Sequence, residues 1–193
     1  MTLELDLGRT ALLPLDFQND IVAGVANAEP ILNKAKIVLD AARDRKVPVV
    51  YITVSFTEGY ADAAAKTHPL FKMVSEAGRV VAGSSGAEIL ANMAPKKGEL
   101  VLNKTCVDPF ITTRLAQHLK ILDVDTIIVM GFSTNFVVES TTRTAADMGY
   151  RVIVVSDACG SGSEENHTFS MSNLLPMFAT VADAEEVRQA LIG

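Results

Sequence analysis

TIIVMGFSTNFVVESTTRTAADMGYRVIVV, residues 126–155, sets strand, turn, helix and strand in one run. Thr126–Met130 is continuously apolar and rich in β-branched residues, the pattern of a strand buried on both faces. Small polar groups follow at Ser133, Thr134 and Asn135. The spacing predicts a helix from about Asn135 to Met148, closed by Gly149 as a left-handed C-cap. Val152–Val155 then reads as a second buried strand. Two such strands joined by a helix imply parallel pairing, with helices covering the sheet.

The same alternation runs outward to both ends. Thr10–Leu15 is a short apolar strand. Ile31, Leu32, Ala35, Val38, Leu39 and Ala42 recur at helical spacing over residues 30–46, with Pro30 suited to a first turn. Val47–Phe56 is a buried strand. Residues 57–82, with Gly59, His68, Pro69 and Gly78, read as a long excursion with one short helix. Ser85 and Glu88 fit a capping box opening a helix to about Met93. That cap accounts for GSSG at 83–86, which lacks the Lys-Ser/Thr of a phosphate cradle. Leu100–Asn103 is a strand, 112–122 a helix, 165–175 a helix, Phe178–Val181 a sixth strand and Asp183–Ile192 a closing helix. The expected fold is one α/β domain over 1–193, in three α/β/α layers around a six-stranded parallel sheet of Rossmann type.

Composition narrows the function. The 193 residues are 49% hydrophobic, and the net charge is -6. No basic stripe offers itself to phosphates, so nucleic acid is not an expected partner. No apolar run approaches the ~20 residues that span a bilayer. The N-terminal residues lack a charged-then-apolar signal pattern, so a cytoplasmic protein is expected. Cys106 and Cys159 make neither a metal motif nor a disulfide framework. His68, His118 and His167 follow no ligand spacing, and neither metal nor cofactor is expected.

Ligands of such sheets bind at the carboxyl ends of strands, near a switch in strand order. Asp16 directly follows the first strand, Lys104 the third, and the turn at Ser133 the fourth. Brought together, Lys104 would orient the Asp16 carboxylate as an acid or base. Helix-start amides would stabilise a developing oxyanion. Spacing alone also permits a plainer reading, with Asp16 capping a turn and Lys104 pairing at the rim.

ALLPLDFQND (11–20), LNKTCVDPFITTRL (102–115) and VMGFSTNFVVESTTRTAADMGYRVIVVSDAC (129–159) resemble, in order and spacing, the signature blocks of the isochorismatase-like hydrolases. That superfamily includes nicotinamidases, carbamoylsarcosine amidohydrolases and isochorismatases. The resemblance implies a six-stranded parallel sheet and, in the amidase branch, an Asp, Lys and Cys triad. These positions fall on Asp16, Lys104 and Val137. Backbone amides of Ser133 and Val137 would form the oxyanion site, and a non-proline cis peptide would fall at Phe132–Ser133. Phe17, Gln18, His68, Phe110, Phe132, Thr134 and Asn135 are the expected substrate contacts. A small-molecule substrate and a homo-oligomer are implied. Nicotinamidases often bind a metal through an Asp and paired His residues, whereas 57–71 offers Glu58, Asp62 and His68 only; no catalytic metal is expected.

Val137 departs from the amidase pattern, because valine cannot attack a carbonyl. Several readings stay open. Hydrolysis can proceed without an enzyme nucleophile, as in isochorismatases, where the Asp protonates a vinyl ether for attack by water. Cys106, two residues after Lys104, would share its face if the strand extends that far. Ser133, Asp157 and His167 follow the order of a serine-hydrolase triad. The fold could also serve a non-catalytic binding protein, or an amidohydrolase inactivated by Cys-to-Val exchange.

Overall fold

The computed structural model describes residues 3–63 and 68–193. The elements in chain order are β1 (Thr10–Leu15), α1 (Asn19–Val22), α2 (Ala28–Asp44), β2 (Val50–Val54), α3 (Pro69–Glu76), β3 (Leu100–Lys104), α4 (Pro109–Thr112), α5 (Leu115–Ile121), β4 (Thr126–Phe132), α6 (Glu139–Asp147), β5 (Arg151–Gly160), α7 (Glu164–Phe169), β6 (Thr180–Ala182) and α8 (Ala184–Ile192). The six strands form one sheet in the order β3-β2-β1-β4-β5-β6, and every neighbouring pair is parallel.

This order follows from where the apolar residues are. β1 and β4 are buried along their whole lengths and lie side by side at the centre. β3 alternates in exposure and lies at an edge. The direction of strand addition reverses between β3 and β4, so right-handed crossovers send α2 and α6 to opposite faces. α2 buries Ala35, Val38, Leu39, Ala41 and Ala42 as one stripe and packs on α8 and β5. No helix among the described residues is long and apolar enough to cross a membrane.

The helix expected over 112–122 is α5, which starts only at Leu115 after the extended Thr113 ends α4. Four further segments differ from the sequence-based expectation, each for a local reason. Residues 85–93 do not form a helix; short 3-10 turns at Ser85–Ala87 and Ala91–Met93 flank an extended Glu88. Tertiary pairing takes up that backbone: Asn19 donates to the Glu88 carbonyl at 3.0 Å and Leu90 to the Phe17 carbonyl at 2.9 Å. The capping box of this chain is Asp183 with Glu186, opening α8. The helix expected from Asn135 begins with a π-turn at Thr134–Val138 before α6 starts at Glu139. α7 ends at Phe169, and a π-turn and a 3-10 turn containing Pro176 follow in place of continued helix. β5 continues past Val155 to Gly160, because a register shift against β4 lets the polar Ser156 and Asp157 leave the ladder. Here Val129 pairs with Val154 and Gly131 with Cys159.

Besides the main core, a smaller apolar cluster gathers Val54, Phe56, Phe71, Val80 and Cys106. It joins the end of β2 to the excursion, above the carboxyl edge of the sheet. A site sits between the two clusters.

Candidate active site

β1 delivers Asp16. Its amide donates to the Ile52 carbonyl of β2 at 2.9 Å, and its own carbonyl accepts from Gln18 at 2.8 Å. The residue takes a left-handed turn at φ 53, which aspartate tolerates better than most residues. β3 delivers Lys104, in register with Val54. Lys104 Nζ lies 2.7 Å from Asp16 Oδ2, and both residues are buried, at 2% and 4% exposure. Asp16 Oδ1 is buried and has no hydrogen-bond partner. Burial pushes the Asp16 pKa up, and Lys104 only partly offsets this, so the net shift is upward. A buried ion pair is costly to desolvate and adds little stability, so its presence points to a use other than folding.

β4 delivers the turn. Gly131 pairs with Leu15 at φ 143, and any Cβ there would collide with the Leu15 carbonyl, so only glycine fits. The Phe132–Ser133 peptide is cis. The π-turn follows, a feature frequent at functional sites. Ser133, Phe136 and Val137 face a cavity of ≈ 280 Å³ that also contains Asp16 and Lys104. Its other walls are mainly apolar, with Val54, Phe56 and Phe71 prominent, and Arg79 adds a cation. The arrangement suits a small, largely apolar molecule held against one carboxyl group.

The structure distributes the expected contact residues unevenly. Phe132 lines the cavity, and Phe17 supports it from behind, edge to face at 5.3 Å. The Gln18 side chain is fully buried and spent on the fold, donating to the Val54 and Ala87 carbonyls and accepting from the Val54 amide. Thr134 is fully buried, with its hydroxyl 2.8 Å from His167 Nδ1. Asn135 Oδ1 accepts from Ser161 at 2.6 Å. Phe110 packs near Tyr150, away from the cavity. His68 is exposed ahead of α3, its ring 5.0 Å from Phe71. Arg79 was not among the expected residues; it lies in the excursion, where weak periodicity gives no directional signal.

The alternative nucleophiles lack the partners they need. His167 meets Thr134, while Asp157 accepts from the Ala184 amide and meets Lys34, so no Ser–His–Asp relay forms. Cys106 lines the cavity, but its thiol donates to the Asp108 carbonyl at 3.0 Å. Cys159 is buried and its pKa is pushed up to about 12, leaving it protonated and unreactive. The metal-site residues of related amidases do not assemble either. Asp62 turns both oxygens to Thr57, and no group of three or more His, Cys, Asp or Glu gathers among the described residues.

The isochorismatase domain model matches residues 10–186. The chain belongs to the isochorismatase family. This family member is 29% identical to the isochorismatase family protein YecD of Escherichia coli O157:H7, over 98% of this chain and all of that one. It is also 29% identical to Nicotinamidase 3 of Arabidopsis thaliana, over 95% of this chain and 89% of that one. Among solved structures, an isochorismatase family protein from Burkholderia thailandensis superposes with a TM-score of 0.86 at 26% identity, covering 100% of both chains. The family is one of hydrolases, and its fold is the six-stranded parallel α/β/α architecture described above.

Proposed function

We propose that this isochorismatase-family chain hydrolyses a small molecule without a nucleophilic side chain, with Asp16 as general acid. One observation carries the reading: Asp16 lines the cavity with Oδ1 unpartnered among the described residues, while Lys104 occupies the other oxygen. A proton on Oδ1 is therefore not committed to any described group. Burial raises the Asp16 pKa and so favours holding that proton.

We take the substrate to be a vinyl ether, because its cleavage needs an acid and no enzyme nucleophile. Oδ1 gives its proton to the terminal vinyl carbon, leaving a cationic centre stabilised by the ether oxygen. Water attacks that centre and returns a proton to Asp16; the resulting hemiketal breaks its C–O bond as its hydroxyl proton passes to the leaving oxygen, and a ketone and an alcohol leave. Lys104 stabilises the carboxylate formed when Asp16 loses its proton. The amides of Ser133 and Val137 hold the polar end of the substrate. The proposal includes self-association, supported by the exposed apolar side chains of Phe136, Phe169 and Met177.

The test is turnover by the native chain and by Asp16→Asn, followed by mass spectrometry, on a panel of vinyl ethers that runs from isochorismate to a small apolar monocarboxylate such as 2-phenoxyacrylate, together with small amides and ureides. The exchange keeps shape and removes the acid. Hydrolysis of the vinyl ether is expected to fall by about 10²- to 10⁴-fold in the variant. No turnover by the native chain, or equal turnover by both, would overturn the reading. It would leave a binding protein on the family fold.

A further inference from the structure

We propose that Arg79 anchors a single carboxylate on the molecule that fills the cavity, which makes the ligand a small monocarboxylate with an apolar body. The inference rests on the cavity being the substrate site and adds which substrates it admits.

Arg79 lines the cavity together with Asp16 and Lys104. One of its guanidinium nitrogens, Nη2, donates to the Asp20 carbonyl at the end of α1. Its other nitrogens have no partner among the described residues, and no described carboxylate pairs with it. The nearest acid, Asp20, has turned one carboxylate oxygen to the Val80 amide at 2.7 Å. Leu70, Phe71, Val74 and Val80 line the same cavity, and Arg79 itself is half-buried. A partly desolvated cation beside apolar walls holds an anion more tightly than one in open water.

The backbone holds Arg79 in place at some cost. α3 ends through Gly78 at φ 63, and the Arg79 amide donates to the Val74 carbonyl at 3.1 Å. Tyr60 donates its hydroxyl to the Arg79 carbonyl at 2.7 Å. Next in the chain, Val80 stands at φ 51, a left-handed conformation that is an outlier for a β-branched residue. The Phe56 amide donates to its carbonyl at 3.0 Å and holds it there. Strain of this kind persists where surrounding contacts over-determine it, and such places cluster at ligand clamps.

The donors select the ligand. Lys104 Nζ is held by Asp16 Oδ2, which leaves Arg79 as the cavity cation without a carboxylate partner among the described residues. Its planar fork matches a single carboxylate, two N–H donors to two oxygens.

Calorimetric titration at pH 8 with benzoate and with benzyl alcohol tests this. Neither probe has a bond to hydrolyse, so the result stands whether or not Asp16 supports turnover. The native chain is expected to bind benzoate about tenfold or more tighter than benzyl alcohol. Arg79→Gln should abolish that preference while keeping benzyl alcohol affinity within about twofold, which shows the cavity intact. No benzoate binding by the native chain, no preference over the alcohol, or a preference that survives in Arg79→Gln would overturn the assignment.

Discussion

A carboxyl group closed off from water can be stabilised by a cation or by keeping its proton. Asp16 has both options, one on each oxygen. If the proton is the working group, vinyl-ether hydrolysis falls as pH rises through the raised Asp16 pKa. The sign follows from linkage: an acid whose pKa rises on folding binds its proton more tightly when native. The stability that the proton brings is present below the unfolded value and lost as pH climbs through the folded one. Lys104→Met removes the influence that lowers this pKa, so the falling limb of a kcat/KM profile should move to higher pH. An unchanged profile would sever Asp16 from the proton transfer. At this scale the sequence was partly legible. Asp16 and Lys104 stand where strands end, and strand ends can be read from hydrophobic pattern. Gln18 and Phe110 were expected to touch substrate, but their roles depend on partners far along the chain, Val54 and Tyr150, which no local pattern reveals.

Elements are positioned by a few unforgiving contacts. Gly131 lets β4 pass the Leu15 carbonyl just before β1 releases Asp16. Gly131→Ala would combine a collision with a positive φ, so a loss of more than about 1 kcal/mol is expected in urea unfolding. A stability equal to that of the native chain would show that the two strands can part there without penalty. The capping box expected at Ser85 shows why this scale is harder to read. Its residues fit the motif, yet Asn19 takes their carbonyls, donating its amide to Glu88 and its side chain to Ser85. The π-turn at Thr134–Val138 is equally silent in the sequence, since its residues also suit the first turn of an ordinary helix.

For the whole molecule, reading succeeded because continuous apolar strands alternating with amphipathic stretches admit few topologies. Strand order was not legible; it emerges from how the layers close. One tie across those layers is Arg43, which joins α2 to Glu99 through two bonds of 2.7 and 2.8 Å, and to the Tyr51 hydroxyl and Ala94 carbonyl. Burial opposes ionisation of Glu99, but Arg43 and the Lys96 amide outweigh it and its pKa is lowered. Its contribution is therefore present above the unfolded value and lost as pH falls through the folded one. Glu99→Gln should cost about 1.5–3 kcal/mol at pH 7 and flatten the acid side of the stability curve, as measured by denaturant midpoints. A native chain whose midpoint ignores acid would assign this tie no weight.

The Asp16–Lys104 pair also bears on assembly. β1 and β3 are not neighbours; β2 lies between them, and the paired residues are 88 positions apart. Closing so long a loop gains nothing until the intervening strand is seated. The acid and its counter-ion therefore meet only in a chain whose entire first half has docked. Until then Asp16 is not held against Lys104, and the cavity that both line is not built. Turnover, once measured, would double as a count of completed molecules.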